Sequence, residues 1–187
     1  MNKIIAIGIL LLSATVFAQK NSPNISYSMP ALEVGFKWNT MDISGATSNK
    51  QEIGFQLGGS TVLNLTPSIG LKTGLFYSER PFRSETLGIE TKGKLTYVEV
   101  PVFFMLKFEE YAGIYLGPSL AIKMGDEVNR GSLSEIKSTI IPITIGAQFK
   151  FTPSLGINIF FENTSGDLAK GLSNSRAAGV NLMIAFD

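Results

Sequence analysis

The 187-residue chain contains no cysteine, no histidine and a single tryptophan. Without thiols there is no disulfide framework, no thiolate nucleophile and no acceptor for a lipid anchor behind a signal sequence. Without imidazole, the Ser-His and Cys-His nucleophile systems and the common zinc sites are excluded too. Charge of one sign is also missing, because 16 Lys and Arg stand against 15 Asp and Glu with no basic run among them. That balance gives no footprint for nucleic acid and no polybasic membrane anchor. Beyond Ala18, no continuous apolar stretch approaches the roughly 18 residues that mark a spanning helix. Yet 44% of the residues are hydrophobic. A chain this apolar without helical spans invites a barrel reading.

The N-terminus has an address of its own. Met1-Asn2-Lys3 precedes an apolar block from Ile4 to Leu12, and Val16-Phe17-Ala18 supplies a small-residue cleavage site before Gln19. This is the pattern of a secretory signal peptide over residues 1–18, and the stretch from Ile4 to Ala18 is short of the ~20 residues a helical anchor needs. Its removal takes away Lys3 and leaves acidic and basic side chains equal in number. The expected organisation is a signal peptide at 1–18, a short periplasmic segment at 19–30 and one barrel domain at 31–187.

Eight stretches alternate apolar and polar residues with the two-residue period of a strand: 31–39, 51–63, 68–79, 95–108, 112–124, 139–151, 154–163 and 176–186. In the first, Leu32, Val34, Phe36 and Trp38 share one face, while Glu33, Gly35, Lys37 and Asn39 share the other. Most stretches have the ~9–11 residues of a tilted membrane strand. Links at 64–67, 109–111 and 152–153 are tight, whereas 40–50, 80–94, 125–138 and 164–175 are longer and rich in Gly, Ser, Asn, Asp and Lys. Short turns on one side and longer loops on the other predict an all-β, eight-stranded antiparallel up-and-down transmembrane β-barrel, with turns in the periplasm and loops outside. One motif occurs twice: Leu65-Thr66-Pro67-Ser68-Ile69-Gly70-Leu71 is echoed by Phe151-Thr152-Pro153-Ser154-Leu155-Gly156-Ile157. Both copies fall at the turn side, where proline costs no ladder bond.

The polar face decides which way the strands point. It is dominated by glycine, among them Gly35, Gly54, Gly58, Gly74, Gly117 and Gly179, with sparse charges between them. A face turned to water carries far more charge. A narrow lumen needs small residues where walls converge and a few long polar side chains to fill the middle. Those side chains are Glu33, Lys37, Glu52, Gln56, Lys72, Glu99, Lys123, Gln148, Lys150 and Glu162, joined by Asn158 and Asn181, and they are expected to pair across the lumen. Aromatics gather at both rims, Trp38, Tyr77, Tyr97 and Phe161 near the loops and Phe108, Tyr111, Phe149, Phe151 and Phe186 near the turns, as two girdles do. The competing architecture is a soluble lipocalin-like barrel with its apolar face inward around a ligand.

The stretch Leu95-Thr96-Tyr97-Val98-Glu99-Val100-Pro101, followed by Gly113 and Gly117-Pro118-Ser119, resembles the PorT-like outer-membrane β-barrel family, and the resemblance runs from about Leu32 to the end. It implies an outer-membrane barrel, and for some members an accessory role in protein secretion. The chain departs from the usual barrel ending, because Asp187 follows the terminal aromatic Phe186.

Little remains to carry chemistry. Glu109-Glu110 sits in a turn, and Asp126, Glu127 and Asn129 lack the spacing of a calcium loop. The sequence therefore calls for no catalytic residue, no metal and no cofactor. It predicts an outer-membrane barrel, not an enzyme, with a plugged lumen and a structural or protein-interaction role. Its partners are membrane lipid, the barrel-insertion machinery and a protein met through the long loops, with no nucleic acid. A narrow channel or a secretion accessory component is the alternative.

Overall fold

The computed structural model describes residues 26–27, 30–86, 88–108, 111–130 and 133–186. The segment 1–18 expected to be a signal peptide, most of 19–30, Glu109-Glu110 and Asp187 lie outside the described residues. Eight long strands form the molecule: β1 Ala31–Ile43, β2 Glu52–Asn64, β3 Ile69–Thr86, β4 Ile89–Phe108, β5 Ala112–Val128, β6 Ile143–Lys150, β7 Leu155–Ala169 and β8 Leu172–Ala185. Each pairs antiparallel with its sequence neighbour, and β8 pairs with β1 from Ala185 opposite Ala31 to Leu172 opposite Ile43. The ring is closed. Three short pieces extend it, Ser26–Tyr27 along β2, Ser48–Lys50 along β3 and Thr139–Ile140 along β5.

Alternation becomes two surfaces with opposite solvents. Phe36 is 53% exposed, Ile143 49% and Ile159 51%, whereas Lys37 and Asn158 between them in phase are fully enclosed. The apolar face therefore points outward, toward lipid, as a spanning barrel requires and a lipocalin-like carrier forbids. The repeated motif builds the same turn twice. In one copy the N–H groups of Leu65 and Thr66 donate to the Ile69 carbonyl, while the Ile69 N–H donates to Thr66 Oγ1 at 3.0 Å. In the other the N–H groups of Phe151 and Thr152 donate to the Leu155 carbonyl, and the Leu155 N–H reaches Thr152 Oγ1 at 3.0 Å. Threonine closes the turn and proline sits where no ladder bond is asked of it.

Two of the four expected loops are strand instead. Residues 80–94 continue β3 and β4 as one hairpin, in register from Arg80 opposite Leu95 to Thr86 opposite Ile89, and turn at Gly88 with φ +75°. Residues 164–175 continue β7 and β8 up to Gly171, with φ +76°. Above the membrane much of the outer strand face meets water, so the apolar code lapses while the ladder persists. Cross-strand charges mark it there, with Arg83 Nε 2.6 Å from Glu90 Oε1 and Lys94 Nζ 2.9 Å from Glu79 Oε1. The expected strand 139–151 is broken at Ile141 and Pro142, because proline cannot donate to the β5 ladder.

The interior is layered along the barrel axis. At the loop end Met41, Phe82, Leu95, Tyr97, Ala121, Ile140, Leu168 and Leu172 form a buried apolar cluster, with Leu133 and Ile136 packed against it. Polar side chains fill the middle. Toward the turn end Val62, Phe103, Met105, Tyr115 and Phe160 form a second apolar cluster, with Ala31, Met183 and Ala185 beside it. Substituting Ile143→Arg, on the outer face of β6, should cost about 2–4 kcal/mol at mid-membrane, while Ile143→Leu at the same place should leave insertion into vesicles nearly unchanged. The fraction of heat-modifiable, folded protein on unboiled gels measures both.

Candidate functional site: a charge-neutral lumen

Each polar side chain in the lumen is delivered by strand parity. Glu33 and Lys37 come from β1, Lys72, Ser78 and Arg80 from β3, Glu99 from β4, Gln148 from β6, Asn158 and Glu162 from β7 and Asn181 from β8, all on the inward phase. Glycine makes the room. A Cβ at Gly35, between Glu33 and Lys37, would collide with Asn181, and one at Gly179 would meet the Phe160 ring.

The charges divide into two sets. In the upper one Arg80 bridges two carboxylates, with Nη2 2.8 Å from Glu99 Oε1 and Nη1 2.7 Å from Glu162 Oε1. Lys37 Nζ lies 3.5 Å from Glu162 and 3.8 Å from Glu99, and donates to Ser78 Oγ. The Arg80 guanidinium also donates to Thr164 Oγ1 at 3.2 Å and stands 5.6 Å from the centre of the Tyr97 ring. Two cations meet two anions, so the set is neutral. In the lower one Lys72 Nζ is 2.9 Å from Glu33 Oε1, donates to Gln148 Oε1 at 3.2 Å and stands 4.9 Å over the Tyr115 ring. Glu33 accepts further bonds from Ser60, from Asn158 at 2.6 Å and from Asn181 at 3.3 Å. This set is neutral as well.

Between them lies a cavity of about 30 Å³, bordered by Glu33, Glu99, Gln56, Pro101, Ser119 and Thr144. It has room for only one or two waters. Every lumen carboxylate is engaged by a cation, and among the described residues no group of three His, Cys, Asp or Glu side chains is placed to hold a metal ion. The arrangement fills and fastens. It presents no activated nucleophile and no free acid-base pair.

Of the side chains expected in the lumen, Glu33, Lys37, Gln56, Lys72, Glu99, Gln148 and Glu162 are enclosed there, with Asn158 and Asn181. Three are not. Glu52 stands at the loop end, 2.6 Å from Arg83 Nε, and Lys123 is held at the same end, 2.8 Å from Asp126. Both have inward parity but are only half-buried at that end, where water reaches them. Lys150 is half-buried at the turn end. Tyr97 departs from the expected girdle, because its parity matches Glu99 and its ring is buried inside. The other expected girdle residues, Trp38, Tyr77 and Phe161 toward the loops and Phe108, Tyr111, Phe149, Phe151 and Phe186 toward the turns, are exposed on the outside. Arg80, the hub of the upper set, is absent from the sequence-derived candidates because it falls just past the expected end of its strand. The signal was available: 72, 76 and 78 face inward, and 80 continues the series.

The family model for the outer membrane protein beta-barrel domain matches residues 17–176. The chain belongs to this family. Among solved structures, Neisserial surface protein A aligns at 14% identity with a TM-score of 0.59, covering 86% of this chain and 99% of that one. Ail of Yersinia pestis aligns at 17% identity and TM-score 0.47, covering 84% and 99%. OprG of Pseudomonas aeruginosa aligns at 12% and 0.41, covering 86% and 95%. At these identities the likeness to Neisserial surface protein A concerns the fold alone. No curated protein matches.

Replacing Arg80→Met should strand Glu99 and Glu162 with Lys37 as their one cation and destabilise the folded barrel by about 3–5 kcal/mol. Arg83→Met, at the solvated rim, should cost less than about 1 kcal/mol. Urea midpoints of the two variants in lipid vesicles give the comparison.

Proposed function

We propose that this outer-membrane barrel works as a structural and protein-contact component whose business is done at its loop-end surface, and that no solute stream passes through it. The observation that carries this reading is the stacked lumen, in which an apolar layer, two neutral charge sets and a second apolar layer follow one another along the axis. Eight strands leave an interior that side chains fill. The proposal includes a cleaved signal peptide at 1–18, periplasmic turns, outward loops, aromatic girdles at the two interfaces and delivery by the barrel-insertion machinery.

The loop end supports a contact role because it is a built surface. The β3–β4 and β7–β8 hairpins stand on the apolar cluster, and the 133–138 segment is tied to the second of them, Lys137 N–H to the Leu168 carbonyl at 2.8 Å and Lys170 N–H to the Ser134 carbonyl at 3.0 Å. Its charges are mixed: Lys50 pairs with Glu85 at 2.7 Å and Arg176 with Asp42 at 2.9 Å, while Lys92 and Arg83 hold the Glu90 carboxyl below the usual carboxylate range. A neutral, pre-shaped surface suits a protein partner better than a polyanion. The PorT-like stretches at 95–101 and 113–119 make an accessory part in secretion the finer form of the same reading.

The test is conductance of the purified protein in planar bilayers across both polarities. A silent membrane is the expected result, with occasional brief events at most. Sustained, ion-selective openings would replace the contact role with a narrow channel.

A further inference from the structure

Three adjacent strands carry a proline in the membrane zone: Pro101 in β4, Pro118 in β5 and Pro142 just before β6. They lie side by side, since Pro101 is opposite Ser119 and Pro118 is opposite Ile143. A proline offers no N–H to the ladder, and hydrocarbon offers no water to replace it. Pairing lapses on every side of this line. Between β3 and β4 it stops at Thr73–Val102 and resumes at Phe76–Glu99; between β4 and β5 it stops at Pro101–Ser119 and resumes at Phe104–Leu116. Between β5 and β6 it stops at Pro118–Ile143 and resumes at Ala121–Ile140 on the short piece. The opposite wall has no such gap, with β7 and β8 in unbroken register from Leu155 to Thr164 and β8 and β1 from Arg176 to Ala185.

Side-chain and single backbone bonds patch the line. Thr73 Oγ1 donates to the Pro101 carbonyl at 2.8 Å, and Ser119 N–H donates to the Pro142 carbonyl at 2.9 Å. Pro101, Ser119 and Thr144 are also the wall of the mid-lumen cavity. The thinnest bonding in the barrel thus separates a polar cavity from lipid.

We propose that β4, β5 and β6 form a lateral hatch: they part along the proline line and connect the mid-lumen cavity with the acyl region of the bilayer. Closed, the cavity has room for only one or two waters; parting of the strands widens it, so that a small lipid-dissolved molecule reaches the lumen sideways while the two apolar layers keep both ends shut to water-borne solutes. The hatch is independent of any partner at the loop end.

The absence of native cysteine makes the test clean. In vesicles, Ser119→Cys is the sole thiol, and its labelling is followed with lipid-soluble N-phenylmaleimide and with a charged, impermeant methanethiosulfonate. With each rate divided by that reagent's rate on a free thiol in solution, the lipid-soluble reagent should react at least about tenfold faster, the direction that local opening toward lipid gives. Adding Pro118→Val, which returns an N–H to the wall, should slow it several-fold. Equal rates, faster reaction with the charged reagent, no labelling of the folded form, or indifference to Pro118→Val would overturn the proposal. Amide exchange of the unmodified protein gives a reading that no variant's folding can spoil. Exchange over 99–105 and 115–121 should exceed that over 157–161 and 178–182, and equal protection of the two walls would refute the hatch.

Discussion

Everything in this molecule answers to the backbone hydrogen bond in a medium without water. A peptide group left unmet in hydrocarbon costs several kcal/mol, so a chain that crosses on strands must end where it began, with its last strand on its first. The pairing of β8 with β1 is that closure. Once the ring is closed, its circumference is set, and with eight strands the interior is only as wide as side chains. The lumen then becomes a packing problem among polar groups, solved by glycines on one strand opposite long side chains on the next.

The lumen charges are costly to hold and are arranged to lower that cost. Six ionic side chains leave water, three of each sign, and they divide into a pair and a quartet that are each neutral. Neutrality by set matters more than total neutrality, because attraction in a low-dielectric interior compensates desolvation only at contact distance. Arg80 suits the hub of the quartet, since its planar fork serves two carboxylates at once where an ammonium presents a point charge.

How much of this could be read from residues follows from which solvent each face meets. Where one face touches lipid and the other the lumen, period-two alternation is strong, and the phase of Phe36, Ile143 and Ile159 against Glu33, Lys72 and Glu162 was legible. Where strands rise above the bilayer, water on the outer face erases the alternation, and so residues 80–94 and 164–175 read as loops although the ladder continues through them. Arg80 was lost at that boundary. An aromatic near a rim suggests a girdle by its type, but the parity of Tyr97 is that of Glu99 and turns its ring inward. Glu52 and Lys123 are the converse: their parity is inward, but parity says nothing of height, and height decides whether a charge is enclosed or wet.

The apolar clusters inside the barrel, the larger of them at the loop end, have a property that the lipid-facing wall lacks. Lipid-facing leucines and isoleucines gain little from folding within the bilayer, since they exchange one hydrocarbon contact for another. Met41, Phe82, Leu95, Leu168 and Leu172, by contrast, are sheltered from water. Their association is hydrophobic in the strict sense, and it weakens on cooling, because hydration of apolar surface turns exothermic faster than its entropic penalty grows. One molecule thus carries two thermometers: a wall held by hydrogen bonds, and a head whose cohesion fades in the cold.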